Sequence, residues 1–453
     1  MPSYHCILTD SFLCFAEQGK WYQIPVETKT FNHITDLVAL AKTYSRQHIW
    51  LLPNSLLYQK LALEPLVFDS ELKKHWFITN LGEEWKLDHA TRPGDMLYQL
   101  ALKCLWESDK AFVYINLPGR LIDWYFSGLT QPGDLYGAIS YLEQLLEIEL
   151  KSKPNTTGVN LIEKLNSTTP TRQSYIKELK SDLSIWHENK PFDLAWVRPL
   201  EDQEKNCQYI YVYDKNQQYL SASNIYLGVG EPQHFIKPVF DKKLVGLWKI
   251  SLIGESPWNG HKLPHPLGNS RDPYLSKGWF ATPLVEKVIE LGYEVEIEAA
   301  EVFPERGNVL EPFYRLLTKA LTELKSNPDN KFKNPMARQS AILGVKSVFR
   351  STIGLFDANI YSKRKWSFRP DWRWMIIATA RARMFYNMAT LLKQGFQPLA
   401  ARTDALYFAS NEEIPVSNQY KLEAKYPLPS VAHLFDLPIK EFIREMDKLK
   451  SLS

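Results

Sequence analysis

The sequence predicts a protein of the α/β class, in an α+β arrangement of two or three domains. The chain has 453 residues, of which 45% are hydrophobic and 23% are charged, as expected for a globular protein with sizeable cores. In residues 1–100, short apolar runs alternate with polar breaks, which indicates a small α/β region. After Asp193, strand-forming runs alternate with amphipathic helical patterns, which indicates a second α/β region.

Between these two regions, residues 101–190 are predicted to be mostly helical. Apolar residues recur there at positions i, i+3, i+4 and i+7, which is the spacing of one helix face. Residues 152–171 are rich in Ser, Thr, Asn, Lys and Pro, which predicts a loop, and the main domain boundary is expected near Pro191. Helices are predicted at residues 96–106, 136–150, 160–165 and 174–186.

The second region is predicted to begin with a strand at residues 208–213, because strand-forming aromatic and β-branched residues dominate that run. Gly292 ends one predicted helix and Pro370 precedes another, which sets their limits. The other predicted strands are residues 244–253, 293–300, 397–401 and 406–409, of which the last two form a hairpin. The predicted helices are residues 282–291, 309–325, 335–350 and 371–394.

Basic residues are concentrated between Lys331 and Ala400. That segment contains thirteen Lys and Arg residues, but its only acids are Asp357 and Asp371, which leaves an excess of eleven positive charges. Such a basic segment usually faces phosphate, and the aromatic residues interleaved with it can stack on bases. The alternative is a solvated basic face with no ligand.

Several classes of protein are excluded by what the sequence lacks. The four cysteines show no metal-ligand spacing and are expected to be free, buried thiols in a reducing compartment. His261 and His265 lie four residues apart, but nearby prolines argue against a helical zinc site. No apolar run reaches the length of about 18 residues that spans a membrane, and no signal peptide is evident. We therefore expect a cytoplasmic protein.

Three short stretches, in a fixed order, supply the groups that metal-dependent nucleotidyl transfer needs. The first contains Asp214 at the end of a predicted strand, the second is a basic helix at residues 346–354, and the third places Asp404 at a hairpin tip. Two divalent metals stabilise the charge on the phosphoryl oxygens in this chemistry, and carboxylates from separate strands hold them. The alternative is that each aspartate is an ordinary turn residue.

The order of these stretches resembles that of family B DNA polymerases, over residues 205–425. The family's first motif is an Asp followed five residues later by a Tyr, and Asp214 and Tyr219 keep that spacing. The second motif is Lys-x-x-x-Asn-Ser-x-Tyr-Gly, and residues 346–354 keep its Lys, Ser and Gly. The third motif, Asp-Thr-Asp-Ser at a hairpin, is matched by residues 402–405.

The resemblance implies a right-hand polymerase fold with a palm built on an antiparallel sheet, helical-hairpin fingers and a reduced thumb. A separate N-terminal α/β region would carry no catalysis. The implied domains are residues 1–100 (N-terminal region), 101–190 (helical region), 191–308 (palm, first part), 309–354 (fingers), 355–425 (palm, second part) and 426–453 (short tail or vestigial thumb).

The resemblance also implies a role for each matched residue. Asp214 and Asp404, helped by the backbone carbonyl of Lys215, would hold two Mg²⁺ or Mn²⁺ ions. Tyr219 would stack under the incoming sugar and select deoxynucleotides, and Lys346 would contact the triphosphate. Further substrate contacts are implied for Arg350, Gly354, Lys319 and Lys325. Contacts with DNA are expected for Arg373, Arg383, Arg402 and Lys425.

The departures from the family motifs leave a rival interpretation open. Arg402 replaces the outer acid of the third motif, while Arg350 and Ile353 replace the Asn and Tyr of the second. The chain is therefore either a compact DNA polymerase or a DNA-binding or recruitment module that has lost catalysis. A third interpretation, an unrelated basic nuclease, would not need Tyr219 or the Lys346 helix.

Two further expectations concern accessory functions and partners. A proofreading exonuclease needs an Asp-x-Glu pair on its first strand, but the run at residues 5–11 contains only Asp10, so no exonuclease is expected. The last forty residues are too short for a full thumb, so the expectation is either low processivity or a protein partner that supplies the primer or processivity. The expected ligands are DNA and deoxynucleoside triphosphates, in DNA replication, with no membrane. Residues 219–232 and 278–283 also faintly resemble telomere-associated proteins of linear bacterial replicons.

Helical phase separates the arginines of the predicted helix at residues 371–394. At about 100° per residue, Arg383 lies on a polar stripe and Arg381 on an apolar one, with Arg373 between them. We expect Arg373 and Arg383 to meet DNA phosphate. Arg381 is expected to be partly buried and paired with a carboxylate or stacked on an aromatic ring.

Overall fold

The structure is a computed structural model whose described part forms two compact units. One unit comprises Met1–Leu165 and Arg315–Leu355, and the other comprises Asn166–Tyr314 and Phe356–Ser453. The residues described are 5–18, 20–27, 34–44, 46–52, 55–56, 66–69, 74–77, 85–87, 101–106, 111–116, 123–189, 194–215, 217–255, 257, 262–269, 272, 275–326, 334–358, 365–416 and 420–452.

A seven-stranded mixed sheet forms the centre of the first unit. His5–Leu8 and His48–Leu51 pair in parallel, because a crossover that contains the helix Ile34–Thr43 connects them. In spatial order the strands are Lys20–Pro25, Phe12–Glu17, His5–Leu8, His48–Leu51, Ala111–Asn116, Ala101–Trp106 and Trp85–Leu87. A separate hairpin pairs Leu66–Asp69 with Lys74–Phe77. The α/β character predicted for the N-terminal region is therefore confirmed.

The helical prediction for residues 101–190 is wrong at both of its ends. Ala101–Trp106 is a strand rather than a helix, and it pairs antiparallel with Ala111–Asn116. The second run is rich in aromatic and β-branched residues, so pairing between the two runs outweighs the helical spacing of the first. The helix predicted at residues 174–186 is instead a 3₁₀ turn, Ser174–Ile176, and a short helix, Ser184–Glu188.

The middle of that region is helical. Pro132–Leu146 confirms the predicted second helix and ends where Glu147 adopts a left-handed conformation. Pro154–Asn166 is longer than the predicted short helix, because Pro154 suits the first turn, where no amide partner is needed. The helices Glu311–Ser326 and Pro335–Leu355 confirm the predicted helical pair.

The second unit is built on a five-stranded antiparallel sheet. Its strands, in spatial order, are Ala195–Val197, Ala400–Arg402, Ala405–Ser410, Tyr209–Lys215 and Tyr420–Pro427. A four-stranded sheet contains Gln233–Ile236, Glu294–Phe303, Val245–Ile253 and Lys277–Ala281, and a short pair joins Leu227–Val229 to Glu305–Gly307. The main helices of this unit are Gln218–Ala222, Thr282–Glu290, Pro370–Lys393 and Ile439–Leu452. The predicted strands and helices in this half are confirmed within a few residues.

Both faces of the five-stranded sheet are covered by helices. Alternate residues of a strand point to opposite faces, so Tyr211 and Tyr213 pack with Met388 of the helix Pro370–Lys393. Val212 packs on the other face with Phe442 and other residues of the C-terminal segment. Burying a large apolar side chain contributes about 1.5–3 kcal/mol, so both helical layers stabilise this sheet.

The predicted buried thiols are confirmed for Cys6 and Cys14, which are free and wholly buried. Burial raises the pKa of Cys6 to about 12 and the pKa of Cys14 to about 11, so both thiols stay protonated at neutral pH. Cys207 is free and half-buried. The side chain of Cys104 and the whole of His261 lie outside the described residues.

A buried histidine makes the stability of the first unit depend on pH. His48 Nε2 lies 2.9 Å from Glu149 Oε1, and His48 is wholly buried. Burial lowers the pKa of His48 to about 3, against an ordinary value of 6.5. Burial alone would raise the pKa of Glu149, but hydrogen bonds from His48 and Lys151 outweigh it and lower that pKa to about 2.

Both shifts make the unfolded chain bind protons at a higher pH than the folded chain does. We therefore expect the free energy of unfolding to fall as pH drops from about 6.5 toward 3, by up to about 1.4 kcal/mol per pH unit for His48 alone. Urea titrations at several pH values would measure this slope. His48→Gln should flatten it above pH 5, whereas His433→Gln, at an exposed position, should leave it unchanged. Equal slopes in both variants would contradict the assignment.

Candidate active site

The backbones of the two predicted metal-binding aspartates meet at one end of the five-stranded sheet. Asp214 lies opposite Ala405, the residue that follows Asp404. The Lys215 amide donates a hydrogen bond of 2.8 Å to the Asp404 carbonyl. The sequence prediction that these strand ends are adjacent is therefore met. A carboxylate separation of about 4–6 Å stays a prediction.

The hairpin turn that carries Asp404 is held from two sides. Thr403 has a φ of 52°, in the left-handed region, and its amide donates to the Leu194 carbonyl at 2.8 Å. Gln218 Nε2 donates to the Thr403 carbonyl at 3.1 Å. These bonds join the turn to the first strand of the sheet and to the segment that follows Asp214. The position of the Asp404 backbone is therefore fixed by contacts distant in sequence.

Asp214 is partly buried and lies close to side chains of both charges. Its side chain is 21% exposed, and Lys421 Nζ lies 3.6 Å from its Oδ2. Burial raises the pKa of Asp214, the nearby carboxylate of Glu423 raises it further, and Lys421 and Lys450 oppose the change. Burial therefore disfavours the ionised form of Asp214, and a bound cation would stabilise that form.

Lys215 points to the opposite face of the sheet from Asp214. Its side chain is 4% exposed, and burial, together with the charge of Arg383, lowers its pKa to about 8. Its Nζ lies 5.8 Å from the centre of the Tyr420 ring. Only the Lys215 backbone was assigned a metal-binding role, and the orientation of the side chain agrees with that restriction.

Arg402 forms a bidentate ion pair. Its Nη1 and Nη2 donate to Oδ1 and Oδ2 of Asp447, at 2.6 and 2.9 Å. The hydrogen bonds with Asp447 raise the pKa of Arg402, and the nearby Asp404 charge adds to this effect. Contact of Arg402 with DNA stays a prediction, since its guanidinium is engaged here by the C-terminal helix.

Sequence reasoning missed the charged residues that surround Asp214. Glu423 and Lys421 lie on the neighbouring strand, while Asp447 and Lys450 lie on the C-terminal helix. Lys450 Nζ donates to Glu423 Oε1 at 2.6 Å, which links that helix to the sheet edge. Lys421 and Glu423 had a local signal, an alternating charged strand, but no motif pointed to the helix.

The residues predicted to contact the nucleotide sugar and DNA lie in several different elements. Tyr219 is half-buried in the short helix that begins after Asp214, and Arg383 Nη1 donates to the Ser221 carbonyl in that helix at 3.0 Å. Arg373 pairs with Asp357 at 2.7 Å. Lys425 Nζ lies 3.7 Å from the centre of a tyrosine ring, that of Tyr209. Their DNA contacts stay predictions.

The prediction that Arg381 is buried is confirmed, since its side chain is 7% exposed. Its guanidinium donates to the carbonyl oxygens of Pro266, at 3.1 Å, and Gly268. These partners are backbone carbonyls, and the predicted pairing of Arg381 with a carboxylate or an aromatic ring stays a prediction. The helix that carries it also starts with a buried arginine–aspartate pair, Arg369 and Asp371.

The predicted triphosphate-binding residues belong to the first compact unit. Lys346 is half-buried on the helix Pro335–Leu355, and on the same helix Arg350 and Gly354 are exposed. Lys319 and Lys325 are exposed on the helix Glu311–Ser326. Their roles toward a nucleotide stay predictions. Of the thirteen basic residues in the segment that starts at Lys331, four (Lys331, Lys333, Lys363 and Arg364) lie outside the described residues.

The donor set at the strand ends fits Mg²⁺ that is completed by substrate. Within the described ranges, no group of three or more His, Cys, Asp and Glu side chains is placed to hold a metal. Mg²⁺ in polymerase sites is bound by one or two carboxylates together with substrate phosphates and water. Asp214 and Asp404 are two carboxylate residues on adjacent strand ends, and burial is the main cause of the raised pKa of Asp214.

The fold resembles that of a known DNA polymerase. Phi29 DNA polymerase, complexed with primer-template DNA and incoming nucleotide substrates, aligns over 93% of this chain and 84% of its own, at 12% identity and a TM-score of 0.52. Its complex with primer-template DNA alone aligns over 91% and 80%, at 12% identity and a TM-score of 0.51. The orthorhombic crystal form aligns over 65% of this chain but only 56% of its own, at 15% identity and a TM-score of 0.43.

No protein-family model matches the sequence, and no curated protein matches it. The chain therefore has a fold like that of family B DNA polymerases, which confirms the resemblance predicted from the three motifs. Because the sequence identity is only 12%, the similarity to phi29 polymerase concerns the fold of this chain alone. None of the described helices is long and apolar enough to cross a membrane.

Proposed function

We propose that this protein is a DNA polymerase that adds deoxynucleotides to a 3′-hydroxyl. The observation that supports the proposal is the meeting of Asp214 and Asp404 at adjacent strand ends within a polymerase-like fold. Phi29 polymerase was captured with primer-template DNA and incoming nucleotides, and by analogy these are the ligands of this chain. In this proposal the palm is residues 191–308 and 355–425, the fingers are residues 309–354, and the tail or vestigial thumb is residues 426–453.

In this mechanism, Asp214 and Asp404 would hold Mg²⁺ or Mn²⁺, together with the Lys215 carbonyl. Two such ions, when bound, stabilise the charge on the attacking and leaving oxygens. The two carboxylates would have to be ionised to hold the metal, and nucleotide phosphates would supply the remaining oxygen ligands. Lys346 would contact the triphosphate in this proposal, with Lys319 or Lys325 as a second phosphate contact.

The N-terminal unit has no exonuclease in this proposal. The strand His5–Leu8 is followed by Asp10 alone, so the acidic pair of a proofreading site is missing from it. His5, at the start of that strand, is wholly buried and pairs with Glu143 at 2.7 Å. A buried, paired histidine at this place suits a structural role rather than hydrolysis.

Primer extension tests the proposed activity directly. Purified protein would be given a primed template, each deoxynucleotide in turn, and Mg²⁺ or Mn²⁺. We expect extension that follows the template sequence and stops without metal. A mismatched 3′ end should persist without excision, as expected for a protein that lacks exonuclease activity. Degradation of the mismatched end would contradict the expected absence of exonuclease activity but not the proposed polymerase activity.

A second candidate function is a recruitment module that binds DNA without catalysis. The observation that favours it is Arg402, which stands where the family has an acid and is paired with Asp447. This function predicts retained DNA affinity with no extension under either metal. The same primer-extension assay, run beside a DNA-binding titration, therefore separates the two candidates.

We expect Tyr219→Ala to raise incorporation of ribonucleotides relative to deoxynucleotides. In the proposed site, the ring lies under the sugar and excludes a 2′-hydroxyl, so its removal opens that space. Single-nucleotide kinetics would give the ratio of kcat/KM for the two substrates. Tyr219→Phe keeps the ring and should keep the discrimination. Unchanged discrimination in Tyr219→Ala would identify this ring as an ordinary packing residue.

The arginines of the long helix are expected to contribute to DNA affinity through charge. Each phosphate contact contributes about one unit to the slope of log affinity against log salt. The double variant Arg373→Ala with Arg383→Ala should flatten that slope by nearly two and weaken binding similarly for all sequences. Arg444→Ala, on the exposed side of the C-terminal helix, is the matched control. A slope identical to the wild type would remove this helix from the DNA-binding surface.

A further inference from the structure

The C-terminal helix, Ile439–Leu452, lies on the same face of the sheet as the candidate metal ligands. Phe442 and Met446 are 0% and 4% exposed and pack against Val212 and other apolar residues of that face. Strand alternation places Asp214 on the face of Val212 and places Arg402 on the face of Ala400. The apolar contacts therefore dock this helix beside the carboxylate end of the sheet.

Two charged side chains that follow these apolar residues in the helix form ion pairs with the sheet. The Asp447 carboxylate accepts hydrogen bonds from both terminal nitrogens of Arg402, at 2.6 and 2.9 Å. Lys450 donates to Glu423 at 2.6 Å. Residues three apart share a helix face, so Asp447 and Lys450 approach the strand ends together. The helix and the carboxylate site are thus joined by two ion pairs of opposite polarity.

The position of Arg402 creates a conflict with metal binding. Arg402 pairs with Ala405 to close the hairpin, so its side chain originates two residues from Asp404. A guanidinium presents a rigid fork that matches a carboxylate, and it binds oxygen lone pairs that a divalent cation would need. Without Asp447 as a partner, the Arg402 guanidinium would be attracted to the carboxylates at the same strand ends, those of Asp404 and Asp214.

We propose that Asp447 is a positioning residue that holds the Arg402 guanidinium away from the Asp214–Asp404 pair and so keeps those carboxylates available to a divalent cation. The inference rests on the proposed function and deepens it. The C-terminal helix thereby becomes part of the metal-binding site. The ion pair of Arg402 with Asp447 is net neutral, so the substitution of an acid by Arg402 is electrostatically offset from outside the motif.

Mn²⁺ binding, measured by electron paramagnetic resonance without nucleotide or DNA, tests the proposal apart from activity. We expect Asp447→Ala to weaken Mn²⁺ affinity by about 10- to 100-fold. A loss of this size is usual when a residue that positions the groups around a metal site is removed. Arg402→Gln combined with Asp447→Ala should restore affinity to within about twofold of Arg402→Gln alone, because the competing cation is gone. Glu445→Ala, a carboxylate of the same helix that is paired with Lys448, should change nothing.

A purely structural role for Asp447 would give a different result. If Asp447 only anchored the helix, the loss in Asp447→Ala would persist when Arg402 is also replaced. Either that persistence or an unchanged Mn²⁺ affinity in Asp447→Ala would overturn the proposal. Thermal unfolding of each variant, followed in parallel, reports whether the helix stays docked.

A crystal structure of metal-free Asp447→Ala separates this inference from the proposed function. We expect the Arg402 guanidinium to move to within hydrogen-bond distance of Asp404 or Asp214. If it stays in its present place, the positioning role is wrong whatever the activity. If the guanidinium moves and Mn²⁺ affinity falls as expected but the wild type extends no primer with either metal, the positioning role stands and the polymerase assignment fails.

Discussion

Asp404→Asn is expected to abolish primer extension while DNA affinity is kept or slightly raised. The amide has the shape of the carboxylate but is neutral and a poorer ligand for Mg²⁺. A loss of about 4 kcal/mol of transition-state stabilisation corresponds to a rate reduction of about 10³-fold. Removing one negative charge also lowers repulsion toward DNA phosphate, so binding should not suffer.

The matched control for this variant is Asp202→Asn, since the Asp202 side chain is 97% exposed and lies in another turn. Asn is accepted in turns as readily as Asp, so the hairpin should keep its shape in Asp404→Asn. Single-turnover extension rates and a DNA-binding titration would be measured on both variants. Equal rates for the wild type and Asp404→Asn would place catalysis elsewhere in the chain.

The elements that carry the two aspartates were predictable because their signals are local. A run of aromatic and β-branched residues predicts the strand Tyr209–Lys215, and Asp214 stands at its end. The hairpin around Asp404 has short apolar strands on both sides. Helical phase likewise predicted the burial of Arg381, since one stripe of its helix is apolar. Local sequence therefore determines these features.

Features that depend on distant partners were not predictable in the same way. Ala101–Trp106 satisfies helical spacing, but its antiparallel pairing with Ala111–Asn116 makes it a strand. Asp447 reaches the site because Phe442 and Met446 dock their helix on the sheet. That docking is a long-range packing event, and neither residue belongs to a motif with chemical meaning. The candidate ligands could thus be read from the sequence, whereas the charges around them could not.

The largest effect on stability is expected where the helix Pro370–Lys393 begins. Arg369 and Asp371 are each 1% exposed and joined by two hydrogen bonds, at 2.8 and 2.5 Å. Arg369 Nη2 also donates to the Gly228 carbonyl at 2.7 Å. The pair therefore connects the helix start to the strand Leu227–Val229. Replacing Asp371 by Ala would leave a guanidinium charged and buried without its carboxylate.

We expect Asp371→Ala to lower the free energy of unfolding by about 3–5 kcal/mol, the usual result of removing one partner of a buried ion pair. The double variant Arg369→Met with Asp371→Leu should recover most of this loss, because no buried charge remains. Arg373→Ala is a milder comparison, since that side chain is 35% exposed and water can solvate the opening it leaves.

Urea unfolding, followed by tryptophan fluorescence, would measure the free energy of unfolding of all three variants. Trp372 lies against the pair, with the Arg369 guanidinium carbon 4.1 Å from its ring centre, so it is one of the 14 tryptophans that contribute to the signal. A change below about 1 kcal/mol in Asp371→Ala would mean that water or a neighbouring group compensates Arg369, and that the pair does not stabilise this helix start.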